Sequence, residues 1–362
     1  MSRLKPTSAE RPPKPFNPLF VFLILALLQG CALAPQFSPG FPGKKSDREK
    51  GLYRGVFHVH SHHSHDSDGS LRSISRSARG KGLDFVVITD HNTVAGRGEY
   101  EKSGLEKLPL LIFGNEISTR EGHLISLGID EEIQPPIGAQ EAIRKVRSLG
   151  GHTVLAHPLC PKTHWKDWGV KEFDGMEVYN YACDLYGADK FAFLFEFLFL
   201  PPSLFNRLFI KEPREALKKW DSLGASGALP AFGGADAHRQ KAAGIPLLRY
   251  PLSFGAITTY VFADTLSEKE ILKALFSGKS FLAFETLGRA DRFSFESRGG
   301  GKPKNLIVSV PKRAEIRLLF NGSVVQKIKA RSLTFEANRP GTYRVEVFRH
   351  GKLWILSNAV TV

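Results

Sequence analysis

Five histidines fall within eight positions: His58, His60, His62, His63 and His65. Eleven of the chain's 12 histidines lie between positions 58 and 238. Several stand where an apolar run ends, namely His58 and His60, His91, His157 and His238. Asp66, Glu116 and Asp236 occupy similar positions. A mixed set of imidazoles and carboxylates suits divalent ions of the Zn, Mn or Fe kind, and one carboxylate can bridge two of them. Histidines at i and i+2 of a strand point to the same side, so His58 and His60 can reach one ion. Any one of these residues alone reads as an ordinary core or surface group. The whole set is a harder accident, because buried polar groups without partners are costly.

The elements that must position them alternate. Strand signals run over Leu52–His60, Leu83–Thr89, Leu108–Ser118, Gly122–Ile129, His152–His157, Phe173–Asn180 and Leu229–Ala235. Leu71, Ile74 and Ala78 mark a helix face, and Ala139–Leu149 is an amphipathic helix stopped by Gly150-Gly151. Ile257–Ala263, a helix at Ser267–Ser277 and Ser280–Glu285 close the series. This alternation predicts an α/β architecture with a largely parallel sheet or barrel, whose strand C-termini form the active face. Past residue 290 the texture changes to short strands at close intervals with turns such as Asn321-Gly322 and Pro340-Gly341. That pattern predicts a small β-sandwich over 291–362, after a larger domain over 51–290.

In order along the chain, HVHSHHSHDSDG (58–69), TDHN (89–92), GNEIS with a following GH (114–118, 122–123), AHP (156–158) and GGADAH (233–238) resemble the successive motifs of the PHP (polymerase and histidinol phosphatase) superfamily. The resemblance covers roughly residues 52–290. It implies a distorted (β/α)7 barrel and two or three divalent metal ions at the strand C-termini. Carried over, His58, His60, Glu116 and Asp236 would hold one ion. Glu116 would bridge to a second, completed by His123 and His157. His91, His238 and one residue of the 61–68 loop would hold the third. This loop departs from the usual pattern: Asp66 is the favoured ligand with His65 close behind, His62 and His63 read as ordinary loop residues, and Asp90 as a residue that orients a neighbour. Glu116, His91 and Asp236 are expected to carry turnover, by a hydroxide bridging two ions. Arg120 and Arg239, beside the motifs, either grip phosphate or are solvated surface arginines.

The implied activity is metal-dependent hydrolysis of small phosphate esters. Two alternatives stay open: hydrolysis of a carboxylic or carbamate ester at the same site, and a metal-binding envelope protein without turnover. The formal net charge of +14 suits phosphate substrates, nucleic acid or an anionic membrane without choosing among them. There is no run of five or six basic residues, so a nucleic-acid tail is not indicated. Gly278-Lys279-Ser280 is no nucleotide loop, because the position that needs glycine is Lys273.

The N-terminal region reads as targeting. Arg3, Lys5, Arg11 and Lys14 precede an apolar run, Leu19–Leu28, shorter than the roughly 20 residues of a spanning helix. Leu28-Gln29-Gly30-Cys31 then resembles a bacterial lipobox. That implies a signal peptide over 1–30, lipid on Cys31 and a tether over 31–50. Ala32 points to the periplasmic side of the outer membrane, and an ordinary signal peptide cut near Ala34 is the alternative. Cys160 and Cys183 are left without a role. Phe191–Ile210, the most apolar stretch after the leader, reads as a buried helical hairpin or as a lid or membrane contact.

Overall fold

Seven strands close into a barrel: Leu52–Val59 (β1), Phe85–His91 (β2), Leu110–Ser118 (β3), His123–Leu127 (β4), His152–Leu155 (β5), Gly175–Asn180 (β6) and Ala231–Ala237 (β7). The computed structural model describes residues 51–105, 109–186, 200–224, 227–242, 245–299 and 304–362. Neighbours β1 to β7 pair in chain order, and β7 closes on β1. The ladders are parallel except at β4, which runs antiparallel to β3 and β5. The inversion matters for the site. It sets His123, the first residue of β4, opposite Ser118 at the end of β3, and so at the same end of the barrel as the other strand C-termini.

Alternation along the strands splits the core. Phe57, Phe85, Val87, Ile112, Val154 and Phe232 cluster with Ile271 and Leu275 of the helix Glu268–Phe276. The intervening Val56, Val86 and Ile88 instead pack with Leu71, Ile74 and Ala78 of the helix Leu71–Gly80 and with Ile143 and Val146 of Ala139–Ser148. Strands apolar on both faces are what a helix-covered barrel requires.

Beyond β7, Gln240–Ala242 (β8) and Ile245–Leu248 (β9) form a hairpin. Thr258–Phe262 (β10) adds antiparallel to the first half of β1 and leads the sheet out of the barrel. Ser280–Ala283 (β11), Ser294–Arg298 (β12), Lys304–Phe320 (β13), Ser323–Ala337 (β14), Thr342–Arg349 (β15), Lys352–Ser357 (β16) and Val360–Thr361 (β17) follow. β16 pairs with β11, so the C-terminal strands hydrogen-bond into the same sheet as the barrel. Their core, built on Leu306, Ile316, Leu318, Tyr343, Val345 and Trp354, also takes in Leu52 of β1, Tyr260 of β10 and Phe281 of β11. Where the sequence suggests short strands between 306 and 336 there are two long ones, because the β13–β14 ladder continues through a register shift between Ser309 and Ala314 rather than turning there.

The leader, Cys31 and the tether lie outside the described residues, as do residues 191–199 of the phenylalanine-rich stretch. Its described remainder includes the helix Pro202–Phe209. Phe205 and Phe209 are buried against Leu252, and Leu204 and Leu208 are exposed. Among the described residues no helix is long and apolar enough to cross a membrane.

Candidate metal centre

The end of β1 breaks the alternation that the core follows. His58 has φ 65°, and the β1–β2 register shifts between Val56 and Val59. His157 and Asp236 also have positive φ, at 30° and 46°. Non-glycine residues seldom take this conformation, and those that do concentrate at functional sites. Here residues from five other strand ends and one loop gather around a single carboxylate on β3.

That carboxylate is Glu116, buried at the end of β3. Its Oε2 lies 3.0 Å from His58 Nε2, 3.1 Å from His60 Nε2 and 3.5 Å from His91 Nδ1. Its Oε1 lies 2.8 Å from His123 Nδ1 and 3.0 Å from His157 Nε2. Asp236 Oδ1 stands 3.3 Å from His60 Nε2 and 3.6 Å from His58 Nε2. On the far side, Asp66 Oδ2 is 3.0 Å from His238 Nε2 and 3.4 Å from His91 Nε2. Asp66 is thus the loop residue brought together with His91 and His238. His65 is exposed, with its ring 4.9 Å from that of His91.

The outer nitrogens are tied down. His58 Nδ1 is 2.8 Å from Glu177 Oε1, His238 Nδ1 donates to the Asp236 carbonyl at 2.9 Å, and His157 Nδ1 is hydrogen-bonded to Thr163 Oγ1 at 3.0 Å. Ser64 Oγ donates to Asp66 Oδ1 at 2.8 Å, so its lone pairs accept from His91 N at 3.2 Å and His60 Nδ1 at 3.1 Å. His60 thus carries its proton on Nδ1 and presents a bare Nε2. Partners of this kind fix tautomer and ring orientation in metal-ligating histidines.

Several inward nitrogens have nothing to do in the protein alone. His60 Nε2, His91 Nδ1 and His238 Nε2 are buried and make no hydrogen bond, despite carboxylate oxygens 3.0–3.5 Å away. One carboxylate cannot satisfy five imidazoles, whereas divalent ions would accept their lone pairs. The residues fit divalent metal: His58, His60 and Glu116 form one compatible group, His91, Glu116 and His123 another, His58, His157 and Asp236 a third, and His60, Asp66, His91 and His238 a fourth.

The electrostatics agree. Burial alone would raise the Glu116 carboxyl, but the His58, His91 and His123 imidazoles hold it well below the usual range. Burial is likewise outweighed at Asp236 by His58 and His60, and at Asp66 by His238 and His91; both carboxyls are lowered. Burial would lower His58, yet Glu177, Glu116 and Asp236 push it well above its ordinary value. His91, His157 and His238 are raised for the same reason, against burial, by Glu116 or Asp66 nearby.

Glu177 was invisible in the sequence as a site residue. It lies mid-strand in β6, fully buried, and besides holding His58 it accepts from His157 N at 2.7 Å and Asn180 Nδ2 at 3.1 Å. The signal available was Gly234: a Cβ there would sit 2.1 Å from Glu177 Oε1, so the second glycine of GGADAH is the space this carboxylate fills. Asp90 orients its neighbour, accepting from Ser61 N at 2.5 Å and Ser61 Oγ at 2.6 Å. The Arg120 guanidinium is exposed and lies against Gly138. Arg239 ties β7 to the Asp66 loop through its backbone, its N donating to Ser67 Oγ at 3.2 Å and its carbonyl accepting from Asp68 N at 2.8 Å. Cys160 and Cys183 form a disulfide, with Cα atoms 5.5 Å apart, between the segments that follow β5 and β6.

The model of the PHP domain family matches residues 57–182. An uncharacterized protein of Methanocaldococcus jannaschii is 37% identical over 119 residues, 32% of this chain and 68% of that protein. Among solved structures, a two-domain protein of Bacteroides vulgatus, named as containing a predicted PHP-like metal-dependent phosphoesterase, aligns with a TM-score of 0.45 at 18% identity, covering 86% of this chain and 95% of that one. PsfC from Pseudomonas syringae aligns with a TM-score of 0.44 at 13% identity, over 65% of this chain and 93% of that one.

Proposed function

The chain belongs to the PHP domain family, and from that premise we propose that it hydrolyses small phosphate esters at a polynuclear metal site. The observation that carries the reading is Glu116, with both oxygens shared among five imidazole nitrogens. His58, His60, Glu116 and Asp236 would hold one ion, Glu116, His123 and His157 a second, and Asp66, His91 and His238 a third. Bound divalent ions supply an acidified water and offset charge developing on the ester oxygens. The chain's own groups do the positioning. Glu177 keeps the His58 ring in place, Ser64 fixes His60 and Asp66 together, and Asp90 holds the loop that carries them. Arg239, adjacent in sequence to His238, is a candidate for gripping phosphate.

A cavity of about 320 Å³ opens beside the cluster, lined by His157, Glu177, Leu159, Tyr179, Lys211 and Arg214. Its size suits a small organic ligand, and its mixed lining suits an anionic group with an apolar portion. The test is a panel of phosphomonoesters and diesters run beside aryl carboxylic esters and carbamates, with metal-loaded and chelated protein. Metal-dependent phosphate release is the expected result. Turnover of carboxylic esters alone would replace the phosphoester reading, and no turnover of either would leave a metal-binding protein.

Export and a lipid anchor at Cys31, on the periplasmic side of the outer membrane, belong to the same proposal. The Cys160–Cys183 bridge supports an oxidising compartment. Mass spectrometry of the isolated protein should find the mature N-terminus at an acylated Cys31, and an unmodified N-terminus further downstream would overturn it.

A further inference from the structure

We propose that His62, His63 and Glu99 form a separate, solvent-facing transition-metal site beside the buried centre. His63 Nε2 lies 2.7 Å and His62 Nε2 3.0 Å from the same oxygen, Glu99 Oε2, and all three ligand atoms fall within 4.8 Å of one another. Ligand atoms around a tetrahedral ion with bonds of about 2.0–2.1 Å stand roughly 3.3 Å apart, so a few tenths of an ångström of spreading admits an ion. None of the three belongs to the buried groups, and the inference does not depend on the reaction run there.

The trio is built from two separate segments. Consecutive side chains of an extended chain diverge, but residues 62 and 63 sit in a turn, and their rings come together with centroids 4.4 Å apart. The turn is held from both sides: His62 N donates to the Gly69 carbonyl at 2.8 Å, and His63 N donates at 3.2 Å to Ser61 Oγ, itself clamped by Asp90. Glu99 comes from the helix Gly96–Lys102. A Cβ at Gly96 would press on the Phe113 ring at 3.0 Å, so the missing side chain lets this helix lie close to the barrel with Glu99 over the turn.

The chemistry selects the ion. Two imidazoles and one carboxylate favour Zn²⁺, Cu²⁺ or Ni²⁺ over Mg²⁺ or Ca²⁺. Side-chain exposures of 41%, 23% and 37% for His62, His63 and Glu99 leave the remaining coordination positions to solvent. Three ligands with open positions describe an exchangeable site rather than a closed structural one.

The test adds Cu²⁺ to the purified full chain after its buried centre has been loaded with Zn²⁺. Electron paramagnetic resonance should show one Cu²⁺ per chain with coupling to two imidazole nitrogens. His62→Ala or His63→Ala should weaken that binding by more than the roughly 10–100-fold cost of losing an outer-shell partner, leaving the Zn²⁺ of the buried centre and hydrolysis unchanged. Glu99→Gln should weaken it and keep the nitrogen coupling. In case a variant folds poorly, Cu²⁺ should selectively broaden the His62 and His63 ring signals of the unsubstituted protein in NMR spectra. Equal Cu²⁺ affinity in unsubstituted and histidine-substituted proteins, or no broadening of those two rings, would overturn the proposal.

Discussion

Strand β1 carries a buried polar cluster at each end, and the two are made differently. At its start, Arg54 is buried and fully employed: it donates to Gly82 O at 2.8 Å and Lys81 O at 3.4 Å, and its fork meets Glu285 at 3.2 and 2.5 Å. The Tyr260 hydroxyl donates to the same carboxylate. At its end, His58 and His60 face Glu116 among more imidazoles than it can satisfy, and three buried ring nitrogens are left over. Buried polar groups cost free energy unless paired. A cluster whose donors and acceptors balance is therefore a structural tie, and one whose lone pairs converge without hydrogens between them is a place for a cation. Burial and charge alone do not separate the two; the count of satisfied atoms does.

The sharpest way to break this comparison is Glu116→Gln. We expect turnover to fall by about three orders of magnitude, about 4 kcal/mol of transition-state stabilisation, with loss of bound metal and retention of fold. Metal analysis and kinetics on the same sample check it. Arg54→Ala should do the reverse. Removing one partner of a buried pair costs about 3–5 kcal/mol, so denaturant unfolding should show a large loss of stability while the metal content of the folded protein stays intact. If Arg54→Ala emptied the metal site, or Glu116→Gln only destabilised the fold, the distinction would collapse.

Legibility in the sequence followed the same physics. Most of the clustered residues stood out because they stand at the end of an apolar strand, where a histidine or carboxylate needs a reason. Glu177 did not, because it sits inside GMEVYN at a position that strand alternation alone would assign to the core. Only its pairing with the gap at Gly234 reveals it, and that pairing spans 57 residues of chain. The loop offered His65 and Asp66 side by side, and the choice depends on Ser64, which binds Asp66 and His60 together. His62 and His63 looked idle because Glu99 lies on a helix 36 residues beyond His63. The Cys160–Cys183 bridge needed three-dimensional proximity that spacing cannot supply. The strands themselves were readable, whereas the through-running of β13 and β14 was hidden by a bulge that looks like a turn.

Glu177→Gln is the next, smaller test. It keeps the volume and removes the charge behind His58, and should weaken metal binding about 10–100-fold, read by chelator competition. Unchanged affinity would make Glu177 a packing residue.

The smallest effect is in pH. In the metal-free protein, His58, His91, His157 and His238 are raised by surrounding carboxylates, so their stabilisation is full below the unfolded value of about 6.5 and is lost as pH rises through the folded values. Asp66, Glu116 and Asp236 are lowered, and their contribution, present above about pH 4, is lost only in acid. Melting temperature of chelated protein should therefore fall as pH rises above about 6.5. Metal-loaded protein should hold or gain over the same range, since metal requires unprotonated imidazole. Parallel curves for the two forms would contradict a shared site.

The central claim, that the unsatisfied nitrogens at the end of β1 are metal ligands, is tested most directly by anomalous X-ray diffraction from crystals of the purified protein, collected on either side of the metal edges. The expected result is two or three anomalous peaks, with both Glu116 oxygens and His60 Nε2, His91 and His238 Nε2 at bonding distance. Water alone against those nitrogens, in protein that still hydrolyses its substrate, would contradict it.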